Sequence, residues 1–325
     1  MRTAGGGHRP PGNRLRRHPL LALLAAVALG AAGCSERTSS GPRPAAPPSP
    51  ASPPASAVGS PSPQPSTLGD FPLDRALAHI RVLAAEIGVR TAGSPAEERA
   101  REHLASTFGA LGYEVDLDPV RLPGGGMSRN VVARPRGLDP ARPVIVVGGH
   151  FDTVAGSPGA NDNASGTAVV VALAEAFAGR PVPVLFAAFT AEERQPPTGA
   201  HHLGSEELLE GLRNAGTPVA AMLSIDMIAN GPALIVGRHR ASPDALQTEI
   251  AGVAADLAIP EQTIVRGDVS DHVPFALAGV PAAWLWTGEH PSFHLPSDTL
   301  DVVQGDAVAR AGRTAQEWIR RRVGA

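Results

Sequence analysis

The apolar positions after residue 70 follow two alternating patterns, which together predict an α/β fold. Five stretches read as largely apolar runs: 130–133, 144–148, 182–190, 219–225 and 282–286. Such runs are typical of strands that are buried on both faces of a largely parallel sheet. Stretches with helical periodicity lie between or after them, at 165–178, 205–213, 242–257 and 305–322. The pattern therefore predicts a three-layer α/β/α sandwich with a mostly parallel, mixed central sheet.

Two more helices are predicted ahead of the first strand. Apolar residues recur at helical spacing over 73–83. Further along, Ser94 is followed by Pro95 and then by Glu97, which has the form of a capping box with proline in the first turn. The sequence therefore predicts a helix that begins at Pro95.

Polar and charged side chains gather where the apolar runs end. Acidic or imidazole side chains follow three of the runs: His150 and Asp152 after 144–148, Glu192 and Glu193 after 182–190, and Asp226 after 219–225. The carboxyl ends of parallel strands meet at the edge of an open α/β sheet where ligands bind. We therefore expect these side chains to lie near one another.

Two further polar residues are expected at the same edge. Asp162 precedes the helix predicted near residue 165, and a helix N-terminus favours an anionic side chain. His294 lies in a polar segment that follows the last apolar run. Two imidazoles and several carboxylates at one edge would repel one another or remain unpaired unless cations neutralise them, so the pattern indicates a metal site.

The same segments, in the same order, resemble the dizinc aminopeptidase family that includes bacterial leucyl aminopeptidases, glutamate carboxypeptidase and glutaminyl cyclase. The resemblance covers residues 88–303 and includes the segments 88–94 and 270–275 on either side of most of the polar clusters. Asp162 follows His150 by 12 residues and Glu192 follows Asp162 by 30, which makes the match specific. The resemblance implies a fold of the zinc-peptidase type.

The resemblance also implies a set of metal ligands. Asp162 would bridge two zinc ions; His150 and Asp226 would complete one zinc site, and Glu193 and His294 the other. Nitrogen and oxygen donors suit zinc, and each ion would keep a position for water or substrate. Two Zn²⁺ ions, three carboxylates and a bridging hydroxide together carry no net charge.

Two other acidic residues would act without binding metal. By the resemblance, Glu192 is the general base that takes a proton from the attacking water and delivers it to the leaving amine. Asp152 would orient His150 through its free ring nitrogen. The implied protein is an exported zinc metallopeptidase that hydrolyses N-terminal residues from peptides with a free N-terminus.

The sequence departs from the family at two places that matter for function. Residues 194–203 separate Glu193 from Gly204, where simple aminopeptidases usually have a shorter link, and we expect this loop to shape the substrate entrance. Phe293 stands before His294 where many members have a tyrosine, so a hydroxyl donor is missing there.

Four residues near these motifs are interpreted as structural. His201 and His202 lie on the 194–203 loop and are predicted to be surface residues rather than substrate contacts. Trp284 and Trp286 belong to the last apolar run and are predicted to lie in the core rather than in a pocket.

Two alternative functions stay open. A glutaminyl-peptide cyclotransferase would use a single zinc ion and also has a longer loop after the paired glutamates. Such cyclases carry aromatic residues in that loop, whereas residues 194–200 contain none. A non-catalytic binding module on the same fold is expected to have lost ligands, but all five are present here together with Glu192.

The N-terminal segment predicts export. Residues 1–19 are basic and polar, and the apolar run 20–32 is too short to span a bilayer but suits a signal peptide. Small residues ahead of Cys34 resemble a bacterial lipoprotein processing site, although Ala31 stands where leucine is usual. We therefore predict a signal peptide over 1–33 and a lipidated Cys34, with the protein held on the outer side of the cell membrane. Without lipidation at Cys34 the protein would be secreted.

The remaining chain divides into a spacer and one catalytic domain. Residues 34–70 are rich in proline, serine and alanine, which predicts a disordered linker, and 71–325 has the size of one large domain. Removal of 1–33 leaves 23 basic and 31 acidic residues, a formal charge of −8. This acidic balance argues against nucleic acid as a partner. The single cysteine excludes an intramolecular disulfide.

Overall fold

In the computed structural model, which describes residues 70–324, an eight-stranded sheet lies between two layers of helices. The strands are β1 Glu114–Asp116, β2 Pro119–Arg121, β3 Met127–Arg129, β4 Val131–Arg134, β5 Val144–His150, β6 Val184–Phe189, β7 Val219–Ile225, β8 Leu234–His239, β9 Glu261–Arg266 and β10 Ala282–Trp286. The α-helices are α1 Leu73–Arg81, α2 Pro95–Ala110, α3 Gly166–Ala176, α4 Leu203–Asn214, α5 Ala245–Asp256, α6 His272–Leu277 and α7 Gly305–Val323. Short π-helical segments at Val82–Ile87 and Ala160–Ser165 and a 3₁₀ turn at Leu300–Val302 complete the elements.

The sheet has a parallel centre and antiparallel flanks. Its strand order is β1-β4-β6-β5-β7-β10-β8-β9. Strands β6, β5, β7 and β10 run parallel, whereas β4 and β8 pair antiparallel with the two ends of this group. β1 is antiparallel to β4, β9 is parallel to β8, and β2 and β3 form a separate hairpin. The predicted three-layer sandwich with a mixed sheet is confirmed.

Alternate residues of the central strands enter two separate cores. In β5, Ile145 and Val147 pack into the larger core, while Val144 and Val146 pack into the smaller one. Helices α1, α2, α3, α5 and α7 contribute to the larger core, and α4 and α6 to the smaller. Because both faces of β5 are buried, the strand needs no polar face, which explains its unbroken apolar sequence.

Two strands on one flank, β8 and β9, were not predicted from the sequence. All residues of β9 are exposed or half-buried, and this strand pairs on one side only, with β8. A strand at the sheet edge can therefore carry a polar sequence that has no apolar run. The periodicity that marks the buried central strands is absent there.

The predicted start of α2 at Pro95 is correct. The two residues of the capping box are Ser94 and Glu97, and Glu97 also connects the helix to residues of the sheet. The Ser94 side chain accepts a hydrogen bond from the Glu97 backbone N–H at 3.1 Å. The Glu97 carboxylate reaches back to the N–H of Gly93 and accepts a hydrogen bond from the Ser128 hydroxyl at 2.7 Å. It also accepts one from Thr190, just after β6. Burial raises the pKa of Glu97 to about 7.

Arg90 is a fully buried cation that joins three backbone segments. Its guanidinium donates hydrogen bonds to five carbonyl oxygens, those of Phe151, Leu83, Gly88, Pro158 and Gly159. Burial lowers the pKa of Arg90 to about 10, with nearby carboxylates opposing, so the side chain stays charged at neutral pH. Arg90 therefore fixes the loop between β5 and α3 against the segment that precedes α2.

Several predictions about the N-terminal part concern residues outside those the structure describes. They are the signal peptide over 1–33, lipidation at Cys34 and nearly all of the linker 34–70. Within residues 70–324, none of the helices combines the length and the apolar character needed to cross a bilayer.

Replacing Arg90 with lysine should destabilise the fold. A lysine ammonium is a single point donor and lacks the planar fork that reaches five carbonyls. The Arg90→Lys protein should lose about 2–4 kcal/mol of unfolding free energy, measured by urea unfolding of the metal-free protein. Arg99→Lys is the control, because Arg99 is exposed and bonds only within its own helix. Equal losses in the two variants would contradict the role given to Arg90.

Candidate metal centre

The polar cluster lies at the carboxyl end of three adjacent parallel strands. His150 is the last residue of β5 and pairs in register with Phe189, the last residue of β6. The chain leaves β6 through Thr190 and reaches Glu192 and Glu193, and Asp226 directly follows β7. Because β5 lies between β6 and β7, these four side chains converge from neighbouring strand ends.

Asp162 reaches the cluster from the turn between β5 and α3, and the adjacent asparagines hold this turn in place. The Asn163 side chain donates to the Ile225 carbonyl and accepts from the N–H groups of Gly166 and Met227. A Cβ on Gly166 would collide with that same Ile225 carbonyl, so α3 can begin this close to β7 only with glycine.

His294 comes from the segment after β10, which Asp298 ties to the Asp162 turn. The Asp298 carboxylate accepts hydrogen bonds from the N–H groups of Asn161 and Asp162, at 2.9 and 3.0 Å. The backbone carbonyl of Asp298 accepts a third, from Ala160. The sequence reading did not single out Asp298, although it lies in the same polar segment as His294.

The five predicted ligands form two groups that share Asp162. In the first group, His150 Nε2 lies 3.2 Å from Asp162 Oδ1 and 3.5 Å from Asp226 Oδ1. In the second, His294 Nε2 lies 3.2 Å from Asp162 Oδ2 and 3.2 Å from Glu193 Oε1. Each group therefore offers one imidazole nitrogen and two carboxylate oxygens, and Asp162 gives one oxygen to each.

The hydrogen-bonding state of these oxygens fits cation binding. Asp162 Oδ2, Glu193 Oε1 and Asp226 Oδ1 are buried and have no hydrogen-bond partner among residues 70–324. A single imidazole N–H donates one hydrogen bond and cannot satisfy two carboxylates. A divalent cation in each group could be bound by the imidazole nitrogen and both carboxylate oxygens at once. Mixed nitrogen and oxygen ligands suit zinc.

Asp152 lies behind the two groups and organises the backbone. Its carboxylate accepts hydrogen bonds from the N–H groups of Glu192 and Glu193 at 3.2 and 3.3 Å. The same carboxylate lies 3.6 Å from His150 Nδ1, and that nitrogen is 3.2 Å from the Asp152 carbonyl oxygen. Asp152 therefore faces the ring nitrogen of His150 that points away from the cluster, and it also fixes the backbone of the glutamate pair.

Buried charge shifts the proton affinities within the metal-free cluster. Burial raises the pKa of Glu192 to about 8 and that of Glu193 to about 8, against the opposing effects of the imidazoles. Burial would lower the pKa of His294, but the carboxylates of Asp162 and Glu193 raise it to about 10. Burial also opposes the ionisation of Asp162, but His150 and His294 hold its pKa below the usual value.

Backbone strain is concentrated beside the cluster. Ala191 precedes Glu192, Met227 follows Asp226, and His294 is itself one of the predicted ligands; all three adopt left-handed backbone conformations. Such conformations cost non-glycine residues roughly 1–3 kcal/mol and persist where the surroundings impose them. The chain thus turns sharply at each of these positions to aim a polar side chain into the site.

The cluster opens into a cavity of about 650 Å³. Trp284 and Trp286 both line this cavity. Trp284 is also buried, as predicted for a core residue, whereas Trp286 is half-buried, so the prediction that both lie in the core rather than in a pocket is correct only for the burial of Trp284. The prediction that His202 is a surface residue is also wrong, because its side chain is only 4% exposed and faces the cavity. Phe293 lines the cavity and stacks on His294 with 3.7 Å between ring centroids.

A family model described as peptidase family M28 matches residues 130–319. The aminopeptidase YwaD of Bacillus subtilis (strain 168) is 29% identical over 201 residues, covering 57% of this chain and 42% of that protein. Leupeptin-inactivating enzyme 1 of Streptomyces exfoliatus is 31% identical over 252 residues, covering 72% of this chain and 55% of that protein. The chain therefore spans about half the length of these curated relatives.

Solved structures share the fold at lower sequence identity. BSAP, a zinc aminopeptidase from Bacillus subtilis, matches with a TM-score of 0.71 at 17% identity, covering 78% of this chain and 95% of that one. A glutaminyl cyclase from Porphyromonas gingivalis matches with a TM-score of 0.68 at 20% identity, covering 78% and 99%.

Zinc should stabilise the protein more strongly at pH 8 than at pH 5.5. The raised pKa values of Glu193 and His294, two of the predicted ligands, mean that the metal-free fold holds protons that the unfolded chain has released. These protons stabilise the fold at low pH, and that stabilisation is lost as the pH rises toward and through those pKa values. Zinc requires deprotonated ligands, so it competes with the protons and its own contribution grows as they leave.

The measurement is the difference in Tm between zinc-supplemented and chelator-treated protein at several pH values from 5.5 to 8. Each displaced proton contributes about 1.4 kcal/mol per pH unit to the zinc effect. Asp162→Asn is the control and should show little response to zinc at any pH, because Asp162 serves both groups. A zinc effect that does not change with pH would contradict the assignment.

Proposed function

The chain belongs to peptidase family M28, and on this basis we propose that it is a zinc-dependent exopeptidase that removes N-terminal residues from peptides. The observation that carries the proposal is that the two carboxylate oxygens of Asp162 face in different directions. One oxygen lies in the group with His150, and the other lies in the group with His294. Two zinc ions, one in each group, are the simplest occupants of such a site. The cavity next to it gives a peptide access to both groups.

The chemistry that zinc supplies when bound is the acidification of a water molecule and the polarisation of a carbonyl. His150 and Asp226 would hold one ion, Glu193 and His294 would hold the other, and Asp162 would be shared. These residues leave the Glu192 carboxylate free to carry protons. The substrate is a peptide with a free N-terminus.

Glu192 is the general base of the proposed reaction. It lines the cavity, and its Oε2 lies 3.9 Å from His150 Nε2, farther than any of the oxygens assigned as ligands of that group. It takes a proton from the attacking water and delivers that proton to the leaving amine. The Asp152 carboxylate fixes the backbone of the glutamate pair, so Glu192 keeps its position while the proton moves.

Adjacent glutamates can hold different roles because their side chains diverge. Glu193 points to His294, at 3.2 Å, and its unpartnered Oε1 is suited to a metal. Glu192 points instead toward His150 and toward the 194–203 loop, where its Oε1 meets His202. This divergence supports the separation of one ligand from one base.

A glutaminyl-peptide cyclotransferase is the second candidate, and one observation favours it. The cavity has an aromatic wall formed by Trp284, Trp286 and Phe293, which could hold a cyclising ring. These residues come from β10 and from the segment before His294, whereas residues 194–200 have no aromatic side chain. The presence of two ligand groups that share Asp162 favours the peptidase, because a cyclase with one zinc ion would leave one group empty.

For localisation, we propose export and anchoring at the membrane. The apolar run 20–32 and the small residues before Cys34 support this proposal. The catalytic part would then act on the outer side of the cell membrane, connected through the spacer 34–70. The partner at this end of the chain is the bilayer, and peptides are the partners of the catalytic part.

Glu192→Gln and Glu193→Gln should both be slow but should differ in metal content. Glutamine at 192 keeps the shape of the side chain but cannot accept the proton, so kcat for an aminoacyl anilide should fall at least ~10²–10⁴-fold with both zinc ions bound. Glutamine at 193 is an uncharged, poorer ligand, so that variant should lose about one zinc ion per chain. Elemental analysis and steady-state kinetics on the two variants provide the comparison.

Wild-type zinc content and substrate choice test the proposal itself. Two zinc ions and hydrolysis of the anilide are the expected results. One tightly bound zinc, together with cyclisation of an N-terminal glutamine and no hydrolysis, would replace the peptidase with the cyclotransferase. An active Glu192→Gln protein would show that the roles of the pair are wrongly assigned.

Cys34→Ala should release the protein from membranes or block its processing. The expected result rests on Cys34 being the single cysteine and on the small residues that precede it. Fractionation of cells that express each form, followed by immunoblotting, measures the membrane-bound share. Ser35→Ala is the matched control and should fractionate like wild type. Complete retention of Cys34→Ala in the membrane fraction, with normal processing, would exclude lipidation at this residue.

A further inference from the structure

His202, from the 194–203 loop, lies between two carboxylates, one of which belongs to Glu192. Its Nδ1 is 3.0 Å from Glu192 Oε1, and its Nε2 is 3.1 Å from Asp268 Oδ1. The ring is almost completely buried, and both distances are too short to admit a water molecule between the ring and either carboxylate. The roles assigned so far to the ligands, to Glu192 and to Asp152 do not include this contact.

The backbone fixes His202 to the same segment that carries Glu192. The N–H of His202 donates to the Glu192 carbonyl at 3.1 Å, and the next N–H, of Leu203, donates to Ala191 at 3.0 Å. His202 also adopts a left-handed conformation immediately before α4. These restraints do not involve the imidazole, so the ring can be changed while the loop end stays attached.

Asp268 holds the far side of the ring. Its Oδ1 faces His202, and its Oδ2 lies 3.0 Å from Nε2 of the neighbouring His201. Asp268 lies between β9 and α6, so the contact also connects the loop to a distant part of the chain. About half of the Asp268 side chain is exposed, which makes it a site that tolerates substitution.

The contacts of His202 are close approaches rather than aligned hydrogen bonds. Each ring nitrogen lies within 3.1 Å of a carboxylate oxygen, but neither makes a well-directed hydrogen bond within residues 70–324. The ring therefore occupies the space between the two carboxylates and limits the positions that the Glu192 carboxylate can adopt.

His201, His202 and Asp268 could also be considered a third metal group, since their ligand atoms lie close together. The two imidazoles contact different oxygens of Asp268, whose side chain is about half exposed. A metal on His202 Nε2 would leave Nδ1 free, so the contact with Glu192 would remain in either case. The zinc content of the variants described below separates the two cases.

We propose that His202 is a positioning residue that holds the Glu192 carboxylate in place, and that Asp268 acts through it. The inference rests on the proposed role of Glu192 as the general base. The carboxylate of a general base must lie within hydrogen-bond reach of the proton that it takes. His202 restrains one oxygen of Glu192 and leaves the other, Oε2, directed at the donor groups.

The test is a double-mutant cycle with His202→Asn and Asp268→Asn in the full zinc-loaded protein. Asparagine tolerates the left-handed backbone but is too short to make both contacts. For His202→Asn, kcat should fall roughly 10- to 100-fold, with KM within about 2-fold and zinc content unchanged. Asp268→Asn should cost less, and the double variant should be no slower than His202→Asn, because Asp268 acts only through His202.

His103→Asn is the matched control. It removes a half-buried imidazole of α2 that contacts His79 of α1 at 3.0 Å, outside the cavity lining. Its kcat and KM should match those of wild type, while thermal unfolding of every variant reports general damage. A His202→Asn protein with wild-type kcat, a change confined to KM, or additive effects in the cycle would overturn the inference.

Two further outcomes are separable in the same series. A zinc content above two ions per chain that falls in both His202→Asn and Asp268→Asn would replace the positioning contact with a third metal site. Glu192→Gln is measured alongside. If it is inactive while His202→Asn is unaffected, the positioning role fails alone; if Glu192→Gln is fully active, the proposed function fails with it.

Discussion

Negative charge concentrated at one edge of the sheet is the constraint on which the rest of the site depends. Five carboxylates converge where three parallel strands end: Asp152, Asp162, Glu192, Glu193 and Asp226. A buried carboxylate without compensation costs several kcal/mol. The chain supplies two imidazoles, the buried cation of Arg90 and several backbone N–H groups, and three oxygens still lack a donor. Bound zinc would complete this compensation, and the loops around the site are arranged so that the ligand side chains face one another.

The same constraint explains why the loops around the cluster are held by side chains rather than by regular structure. Asp298 and Asn163 both bond to backbone groups of segments far away in the sequence. Each of these bonds fixes a strand-end loop relative to a neighbour. The left-handed residues beside the cluster are strained conformations that such a network can impose. His202 belongs to this arrangement, since its contact with Glu192 extends the network from the two ligand groups to the proposed general base.

The sequence was informative where burial and position act together. His150, Glu193 and Asp226 stand out because polar residues follow apolar runs, and the topology of a parallel sheet brings such residues to one edge. Asp162 stands out because it precedes a predicted helix, and His294 because it lies in the polar segment after the last apolar run. The central strands were predictable for the same reason: burial on both faces removes polar residues from them. The edge strand β9 was not, because exposure on most of its surface leaves it with an ordinary polar sequence.

Other parts of the site depend on contacts that have no local signature. His202 reads as a polar loop residue, and its burial depends on the loop folding back onto the glutamate pair. The second carboxylate that contacts the His202 ring belongs to Asp268, which is 66 residues further along the chain. Trp284 lies in an apolar strand, and only the three-dimensional structure shows that one side of the ring faces the cavity. Tertiary contacts of this kind cannot be derived from periodicity, which reports on one element at a time.

The five carbonyl oxygens that surround the Arg90 guanidinium indicate where the part of the chain that folds as one unit begins. The family match starts at residue 130, yet three of the carbonyl oxygens that Arg90 binds belong to the 151–159 loop, inside the matched region. A fragment cut at the match boundary would leave those oxygens facing an empty space in place of a cation. The loop that carries Asp162 would lose its support at the same time. The recognisable motif region and the cooperative folding unit therefore have different boundaries, and the latter extends upstream at least to the residues that precede α2.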